Sequence, residues 1–310
     1  MKKDSRVKAI ISLDAVEHNF REMRKNIAED TKMIAVIKAD AYGHGAVPVA
    51  HLIEDYDYIW GFAVATAEEA IHLREAGVTK PILILGIVFD EFYPELVRYD
   101  IRPAVCEYEE AKKLSKEAVL QDKTVHIHIA LDTGMTRIGF ADTPESVEEV
   151  KKISELPNLE IEGMFTHFAR ADEYDRSPAM VQLKRYQDFS RRVDEAGVEI
   201  PLHHCSNSAG IIRVPEANLS IVRAGITIYG IYPSSEVERD IVKLAPVMEL
   251  KSHVTYVKDV PAGAAISYGG TYVADKKLRV ATIPVGYADG YSRQLSNKGW
   301  VLIHGKKAPI

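Results

Sequence analysis

Eight short apolar runs, separated by stretches with helical spacing, limit the folds open to most of this chain. Strands that alternate with helices indicate βα units and a parallel sheet. Periodicity does not separate a closed barrel from an open doubly wound sheet, but the count of eight favours a (β/α)8 barrel. The runs are Met33–Ile37, Tyr58–Val64, Ile82–Leu85, Ile101–Val105, Val125–Leu131, Leu159–Phe165, Leu202–Cys205 and Leu219–Val222.

Capping residues predict where several helices begin and end. The clearest helical stretches are Glu68–Ala76, Glu107–Leu120, Pro144–Leu156 and Pro178–Ala196. The predicted N-caps are Asp14 (with Glu17 completing a capping box), Thr143 before Pro144 and Ser177 before Pro178. The glycines expected just after helix ends are Gly77 and Gly197.

The pattern changes after about residue 240. Val247–Val260, Lys277–Pro284 and Trp300–Ile303 are β-like and lie between glycine and proline turns. We therefore predict a barrel over 12–240 and a β-rich domain formed by 241–310 together with an N-terminal strand, 1–11. The sequence stops at Ile310 within a β pattern, so we expect this domain to be incomplete, with unpaired strand edges that reduce solubility or activity.

Composition excludes several classes of protein. The net charge of −6 and the pI of 6.0 argue against nucleic-acid and anionic-membrane partners, which require a basic surface. Cys106 and Cys205 lie far apart and not in metal-ligand spacing, so we expect neither a disulfide framework nor a metal site. The sequence shows neither a signal peptide nor an apolar run of the ~20 residues that a membrane span needs. We expect a cytoplasmic protein.

The segment Ala35–Gly45 places Lys38 at the end of an apolar strand, before a loop that contains two glycines. In (β/α)8 barrels the catalytic groups lie at the carboxyl ends of strands. An amine that is partly desolvated there is a better nucleophile for an aldehyde, as Schiff-base chemistry requires. The alternative is a lysine whose charged end simply reaches solvent, and Lys38 taken alone favours that alternative.

The whole segment closely resembles the pyridoxal-phosphate (PLP) attachment motif of the bacterial alanine racemase family, and the resemblance extends along nearly the whole chain. It implies a PLP enzyme of the fold-type III class in which Lys38 forms the Schiff base and Tyr42 reaches the cofactor phosphate. Metal ions have no role in it.

The stretch Leu131–Gly139 resembles the Asp-Thr-Gly-Met motif of the same family. It implies that Arg137 binds the PLP phenolate oxygen and the substrate carboxylate, although a structural arginine paired with an acid is the local alternative. Many members carry a carbamylated lysine where this chain has Ala130. Arg137 must then be held by another group, such as an anion or a water, or be less rigid.

The segments after the sixth, seventh and eighth runs complete the implied cofactor site. Phosphate sites in barrels commonly form after strands 7 and 8, where hydroxyl and backbone N–H groups can meet a dianion. By resemblance, Arg223 faces the pyridine nitrogen and keeps it unprotonated, which makes the ring a poorer electron sink. The other implied roles are the phosphate contacts of Ser208, Gly225 and Ile226, a contact near the cofactor from Asn207, a ring contact from His167, and orientation of Arg223 by His204.

The β-rich region contributes two tyrosines. Racemisation removes a proton from one face and returns it on the other, so it needs two groups on opposite sides of the substrate. The resemblance implies that Lys38 serves one face and Tyr268, from the other subunit of a head-to-tail homodimer, serves the second with help from nearby cations. Tyr287 is implied to narrow the substrate access channel.

The sequence thus predicts an isomerase that interconverts L- and D-alanine (EC 5.1.1.1) and supplies D-alanine for peptidoglycan. The alternatives are a serine or broad-specificity racemase of the same family, a non-catalytic PLP-binding barrel protein, and a PLP decarboxylase of the same fold. Arg223 disfavours the decarboxylase, in which an acid usually faces the pyridine nitrogen. The β-rich region disfavours the carrier protein, which is a single barrel.

Overall fold

The computed structural model describes residues 5–310, which fall into two compact units. One unit is Ser12–Val247, and the other combines the N-terminal segment up to Ile11 with Met248–Ile310. The predicted N-terminal strand over 1–11 therefore starts outside the described residues, and β1 (Val7–Ile11) is the part of it that the structure describes.

The unit Ser12–Val247 is built on one eight-stranded parallel sheet, in the order β8-β7-β6-β5-β4-β3-β2-β9. The two end strands approach each other where the Arg223 N–H donates to the Ser206 carbonyl at 3.0 Å. The predicted (β/α)8 barrel is confirmed. Its strands are β2 (Lys32–Val36), β3 (Ile59–Val64), β4 (Ile82–Ile84), β5 (Arg102–Val105), β6 (Val125–Ala130), β7 (Leu159–Phe165), β8 (Leu202–His204) and β9 (Ile221–Ala224).

Helices alternate with these strands, and the four predicted stretches are helical to within two residues at each end. Apolar side chains of the strands, such as Ile34, Ala63 and Leu83, are fully buried and form the core. The helices are α1 (Leu13–Arg24), α2 (Lys38–Gly43), α3 (Ala46–Ile53), α4 (Ala67–Glu75), α5 (Tyr93–Arg98), α6 (Tyr108–Leu120), α7 (Pro144–Ser154), α8 (Ser177–Glu195) and α9 (Ser208–Arg213).

Two predicted N-caps are wrong. Helix α1 is capped by Ser12, whose Oγ accepts the Ala15 N–H at 3.2 Å, so Asp14 lies inside the first turn, where its charge suits the helix dipole. Helix α8 begins at Ser177 itself, because the Asp175 carboxylate accepts the Ser177 N–H at 2.9 Å.

The other boundary predictions are confirmed. Thr143 caps α7 by accepting the Ser146 N–H at 3.3 Å. Gly77 and Gly197 have φ of +90° and +88° directly after α4 and α8, the left-handed conformation expected at these positions.

The second unit consists of short antiparallel pairs. Strand β1 pairs with β10, β11 with β14, β12 with β13, and β15 with β16. Only short 3-10 turns occur between these strands within the part of the chain that the structure describes. Across residues 5–310, no helix combines the length and the apolar character that crossing a bilayer requires. The strands are β10 (Met248–Ser252), β11 (Tyr256–Val260), β12 (Ala265–Ile266), β13 (Tyr272–Val273), β14 (Leu278–Thr282), β15 (Trp300–Ile303) and β16 (Lys306–Pro309).

Candidate active site

The carboxyl ends of the barrel strands surround a cavity of 520 Å³. Its wall carries an amine, two guanidinium groups, a phenol and an imidazole, which come from the carboxyl ends of β2, β6, β7 and β9. The structure thus brings all nine predicted cofactor-binding residues to one place: Lys38, Tyr42, Arg137, His167, Asn207, Ser208, Arg223, Gly225 and Ile226.

Helix α2, directly after β2, is a turn of left-handed helix. Four consecutive residues that are not glycine, Ala39 to Tyr42, have φ between 51° and 55°. For L-amino acids this conformation costs about 1–2 kcal/mol per residue. Strain of this kind persists only where neighbouring contacts enforce it, and it concentrates at functional sites. Lys38 is the residue from which this strained turn starts.

The carboxylate of Glu69 is one of the contacts that enforce the turn. Its two oxygens accept the N–H groups of Ala39 and Ala65, each at 2.7 Å, and so join the ends of β2 and β3. Asp40 adds a second contact by accepting the Ala46 N–H at 2.7 Å. Sequence reasoning missed Glu69, although Thr66-x-x-Glu69 has the form of a capping box. In the structure Thr66 caps α4, but the carboxylate of Glu69 serves the turn instead.

Tyr229 also contacts this left-handed turn. Its buried hydroxyl donates to the Val36 carbonyl at 2.9 Å, and its ring packs on Tyr42 and stacks on His44 with centroids 5.1 and 4.6 Å apart. Burial raises the pKa of Tyr42, so its phenol stays protonated at neutral pH. Tyr42 therefore presents a hydroxyl donor to the cavity.

Hydroxyl and backbone donors meet at the corner formed after β8 and β9. Ser208 Oγ accepts the Gly225 N–H at 2.9 Å and the Thr227 hydroxyl at 3.0 Å, which leaves its own proton for another acceptor. A Cβ on Gly225 would lie 3.6 Å from Ser208 Oγ and 3.8 Å from the Tyr42 hydroxyl. The glycine thus keeps the corner open. Ile226 begins the next turn, so its N–H has no partner within that turn. This arrangement suits a phosphate.

Asn207 lines the cavity, but its side chain already has two structural partners. Its Oδ1 accepts the Gly210 N–H at 3.0 Å as the N-cap of α9, and its Nδ2 donates to the Phe168 carbonyl at 3.2 Å. The amide therefore ties the segments after β7 and β8 together. A contact from Asn207 to a cofactor remains a prediction.

Arg223 is a buried cation with four of its five N–H donors engaged. Nη1 donates to His204 Nδ1 at 2.7 Å and to the His204 carbonyl at 2.8 Å. Nη2 donates to the carbonyls of Thr166 at 2.7 Å and Cys205 at 2.9 Å. Among residues 5–310, Nε has no hydrogen-bond partner. The fifth donor is thus available to an acceptor in the cavity. Burial lowers the pKa of Arg223 to about 10, so the group stays charged at neutral pH.

The histidines near Arg223 are neutral. His204 lies behind Arg223 rather than in the cavity wall, and burial together with the charge of Arg223 lowers its pKa well below the ordinary value. Burial and the nearby cations Arg223, Arg137 and Lys38 lower the pKa of His167 to about 3. His167 therefore presents an uncharged flat ring to the cavity at neutral pH.

Arg137 lies in a tight loop that folds back on β6. The Asp132 carboxylate accepts the N–H groups of Gly134 and Thr136 at 2.9 and 3.0 Å. A Cβ on Gly139, whose φ is +120°, would lie 2.7 Å from the Asp132 nitrogen, so only glycine fits there. The Arg137 guanidinium has no hydrogen bond or ion pair with any residue in 5–310.

Ala130 offers Arg137 no polar partner. It is buried among Ala104, Phe165, Leu85 and Cys106, which form an apolar cluster. The role of Arg137 remains a prediction.

The two predicted residues of the β-rich region lie in the other compact unit. Tyr268 is 80% exposed and begins a short 3-10 turn, and Tyr287 is 70% exposed and begins another. Their roles remain predictions.

Barrel and cavity together define a class, a (β/α)8 enzyme whose site combines a lysine amine, a corner lined by hydroxyl and N–H groups, and a buried arginine. Residues 11–233 match the family model described as the N-terminal domain of alanine racemase, and residues 247–310 match the model of the C-terminal domain. This chain therefore belongs to the alanine racemase family.

Individual relatives agree with this assignment. The alanine racemases of Clostridium kluyveri and Methanococcus maripaludis are each 44% identical over 97% of this chain, which covers 76% and 80% of their lengths. The solved alanine racemase of Clostridium difficile 630 superposes with a TM-score of 0.94 at 42% identity, over 99% of this chain and 80% of that structure.

Proposed function

We propose that the chain is a PLP-dependent alanine racemase in which Lys38 and Tyr268 are the two acid–base groups. The observation that carries the proposal is the cavity itself. It joins a lysine amine, an open phosphate corner and a free arginine donor on the scaffold of this family.

The residues present fit PLP. The hydroxyl groups of Tyr42 and Ser208 and the N–H of Ile226 would hold the phosphate. Gly225, whose own N–H is engaged by Ser208 Oγ, would leave room for it, because a Cβ there would narrow the corner. Lys38 would bind the aldehyde carbon. When bound, PLP withdraws electrons from the substrate and makes its α-proton acidic.

Arg223 would meet the pyridine nitrogen through its free Nε–H. Its other four donors are engaged, so the guanidinium is held in one orientation and keeps its proton. A donor of this kind leaves the ring nitrogen unprotonated, which moderates electron withdrawal and favours return of the proton over side reactions. His167, uncharged at neutral pH, would limit motion of the ring.

Proton transfer would take place between two side chains on opposite faces. Lys38 Nζ would take or return the proton on one face, and the phenol of Tyr268 from the partner subunit would do so on the other. Arg137 would bind the substrate carboxylate, and Tyr287 would limit the size of the substrate side chain. The product would supply peptidoglycan synthesis in the cytoplasm, and the two free thiols Cys106 and Cys205 fit a reducing compartment.

A mixing experiment tests the shared site. Lys38→Ala and Tyr268→Phe should each abolish D-alanine formation from L-alanine. When the two variants are mixed and exchange subunits, about half of the dimers become hybrids. Each hybrid has one intact site, made of Lys38 from one subunit and Tyr268 from the other, so the mixture should recover about a quarter of wild-type activity. Racemisation of L-serine, measured in parallel, tests the alternative of a serine or broad-specificity racemase. Failure of the mixture to recover activity, with dimers present, contradicts the shared site. Wild-type protein that binds PLP without racemising any amino acid contradicts the proposal.

A further inference from the structure

A line of buried polar side chains continues from Arg223 into the barrel, away from the cavity. His204 Nε2 lies 2.8 Å from His128 Nδ1, and His128 Nε2 lies 3.2 Å from Glu162 Oε2. Arg102 Nε donates to the same Glu162 oxygen at 3.1 Å. Arg102 is the first residue of β5, whereas His204 is the last of β8. The line therefore connects the amino end of the barrel with the cavity end.

Only one arrangement of protons satisfies every atom of this line. A guanidinium has donors only, so Arg223 Nη1 makes His204 Nδ1 an acceptor and places the His204 proton on Nε2. That proton makes His128 Nδ1 an acceptor and places the His128 proton on Nε2. The His128 proton then points to Glu162. The Arg102 guanidinium at the far end likewise requires Glu162 to accept. Both ends therefore impose the same direction.

The charges lie only at the ends of the line. Burial lowers the pKa of both His128 and His204, so the two rings are neutral. Burial alone would raise the pKa of Glu162, but the hydrogen bond from His128 and the charge of Arg102 lower it, so Glu162 is ionised.

The other neighbours of the line do not alter this assignment. Trp60 packs against His128 and Phe165 against His204, and both are uncharged. Asp100 binds the outer side of Arg102 at 2.7 Å and lies 3.5 Å from His126, whose pKa is raised chiefly by its hydrogen bond to Asp100. His203, next to His204, is neutral because burial lowers its pKa. Glu162 is thus the carboxylate that is connected to Arg223 by hydrogen bonds through the rings of His128 and His204. Hydrogen bonds in such a chain polarise one another.

We propose that His128 and Glu162 are positioning residues that fix the proton of His204 on Nε2, and through it the orientation and field of Arg223 at the cavity. The proposal rests on the proposed function insofar as Arg223 contacts the cofactor. It adds that the negative charge of Glu162, beyond the rings of His128 and His204, influences the pyridine nitrogen of the cofactor through Arg223.

The proton positions can be measured directly. Long-range proton–nitrogen NMR on histidine-labelled holoenzyme reports which ring nitrogen carries hydrogen, with His128→Asn and His204→Asn used to assign the signals. Both rings should carry hydrogen on Nε2 and stay neutral from about pH 6 to about pH 9. Hydrogen on Nδ1 of either ring, or a charged ring at neutral pH, would overturn the proposal. The bonds are internal to the barrel, so protein without PLP should give the same result. This separates failure of the network from failure of the proposed function.

A charge-removing variant tests the effect on the site. Glu162→Gln keeps an oxygen acceptor for His128 and Arg102 but removes the negative charge. The more positive field should move the pH midpoint of the bound cofactor's visible absorption to lower pH by about 0.5–1 unit.

Glu160→Gln is the matched control, because Glu160 lies two residues earlier on β7, its side chain is 62% exposed, and it pairs with His126 at 3.5 Å rather than with His128. It should leave the midpoint unchanged. Glu162→Asp keeps the charge, so its midpoint should lie nearer wild type than that of Glu162→Gln, and it provides a test if the glutamine variant does not fold. A role limited to stability would lower the melting temperature in Glu162→Gln without moving the midpoint, and that outcome would refute the proposal.

Discussion

Replacing Glu69 with alanine tests whether the left-handed turn after Lys38 is enforced by its surroundings. The substitution removes the acceptor of the Ala39 and Ala65 N–H groups, each at 2.7 Å. Hydrogen bonds to a charged group contribute about 1.5–3 kcal/mol each, and Glu69 is only partly buried, so the lower end applies. We expect the free energy of unfolding to fall by about 2–3 kcal/mol.

The substitution should weaken cofactor binding as well as stability. The four residues of the turn store about 4–8 kcal/mol of conformational strain at about 1–2 kcal/mol each. Once the Ala39 N–H is released, the turn can relax, which recovers part of the lost stability but moves Lys38 and Tyr42 from the cavity wall. We expect the PLP dissociation constant to rise at least about tenfold, a loss of about 1.4 kcal/mol.

Urea denaturation and PLP titration of the same preparations measure both quantities. Glu68→Ala is the control, because Glu68 precedes Glu69 in the first turn of α4, is exposed, and does not contact the turn after Lys38. Glu69→Gln keeps one acceptor oxygen and should give an intermediate result. Wild-type PLP affinity in Glu69→Ala would show that the turn holds its shape without this carboxylate and would refute the reasoning.

Three further predictions concern the phosphate corner, His167 and a helix cap. Gly225→Ala places a methyl group between Ser208 and Tyr42, so PLP affinity should drop at least about tenfold with the melting temperature nearly unchanged, as titration and calorimetry would show. His167 has a pKa of about 3 in the folded protein, against about 6.5 in the unfolded chain. As pH falls below about 6.5 the unfolded chain therefore takes up a proton that the folded protein does not, and the free energy of unfolding decreases. Between pH 7 and pH 5 this decrease, measured by denaturation, should be about 2 kcal/mol smaller in His167→Gln than in the wild type. Thr143→Ala removes the N-cap of α7 and should lower the free energy of unfolding by about 1 kcal/mol without affecting PLP binding, whereas an unchanged value would mean that the cap contributes nothing.

The fold was accessible from sequence because the strands are buried on both faces. Such strands appear as continuous apolar runs, as Ile82–Leu85 does for β4, whose residues Ile82–Ile84 are all fully buried. The run Leu219–Val222 ends two residues before β9 does, because the charged Arg223 belongs to that strand. A charged residue ends an apolar run in sequence, but inside the barrel its donors are satisfied by carbonyl groups.

The cavity residues were accessible only in part. The family motifs indicated Lys38 and Arg223, whereas the residues that hold them gave no comparable signal. Glu69 acts 30 residues from Ala39, and Glu162 acts on Arg223 through two other side chains. Such contacts depend on which strands become neighbours, and local pattern does not encode that. The N-cap of α8 failed for a smaller reason: the Asp175 side chain accepts the Ser177 N–H, and the helix begins at Ser177, one residue earlier than predicted.

The central claim is that the Lys38 amine carries PLP at the mouth of the barrel. Borohydride reduction of the PLP-loaded protein, followed by proteolysis and mass spectrometry, would locate the modified lysine. We expect a single phosphopyridoxyl group on Lys38. A label on a different lysine, or no label at saturating PLP, would contradict it.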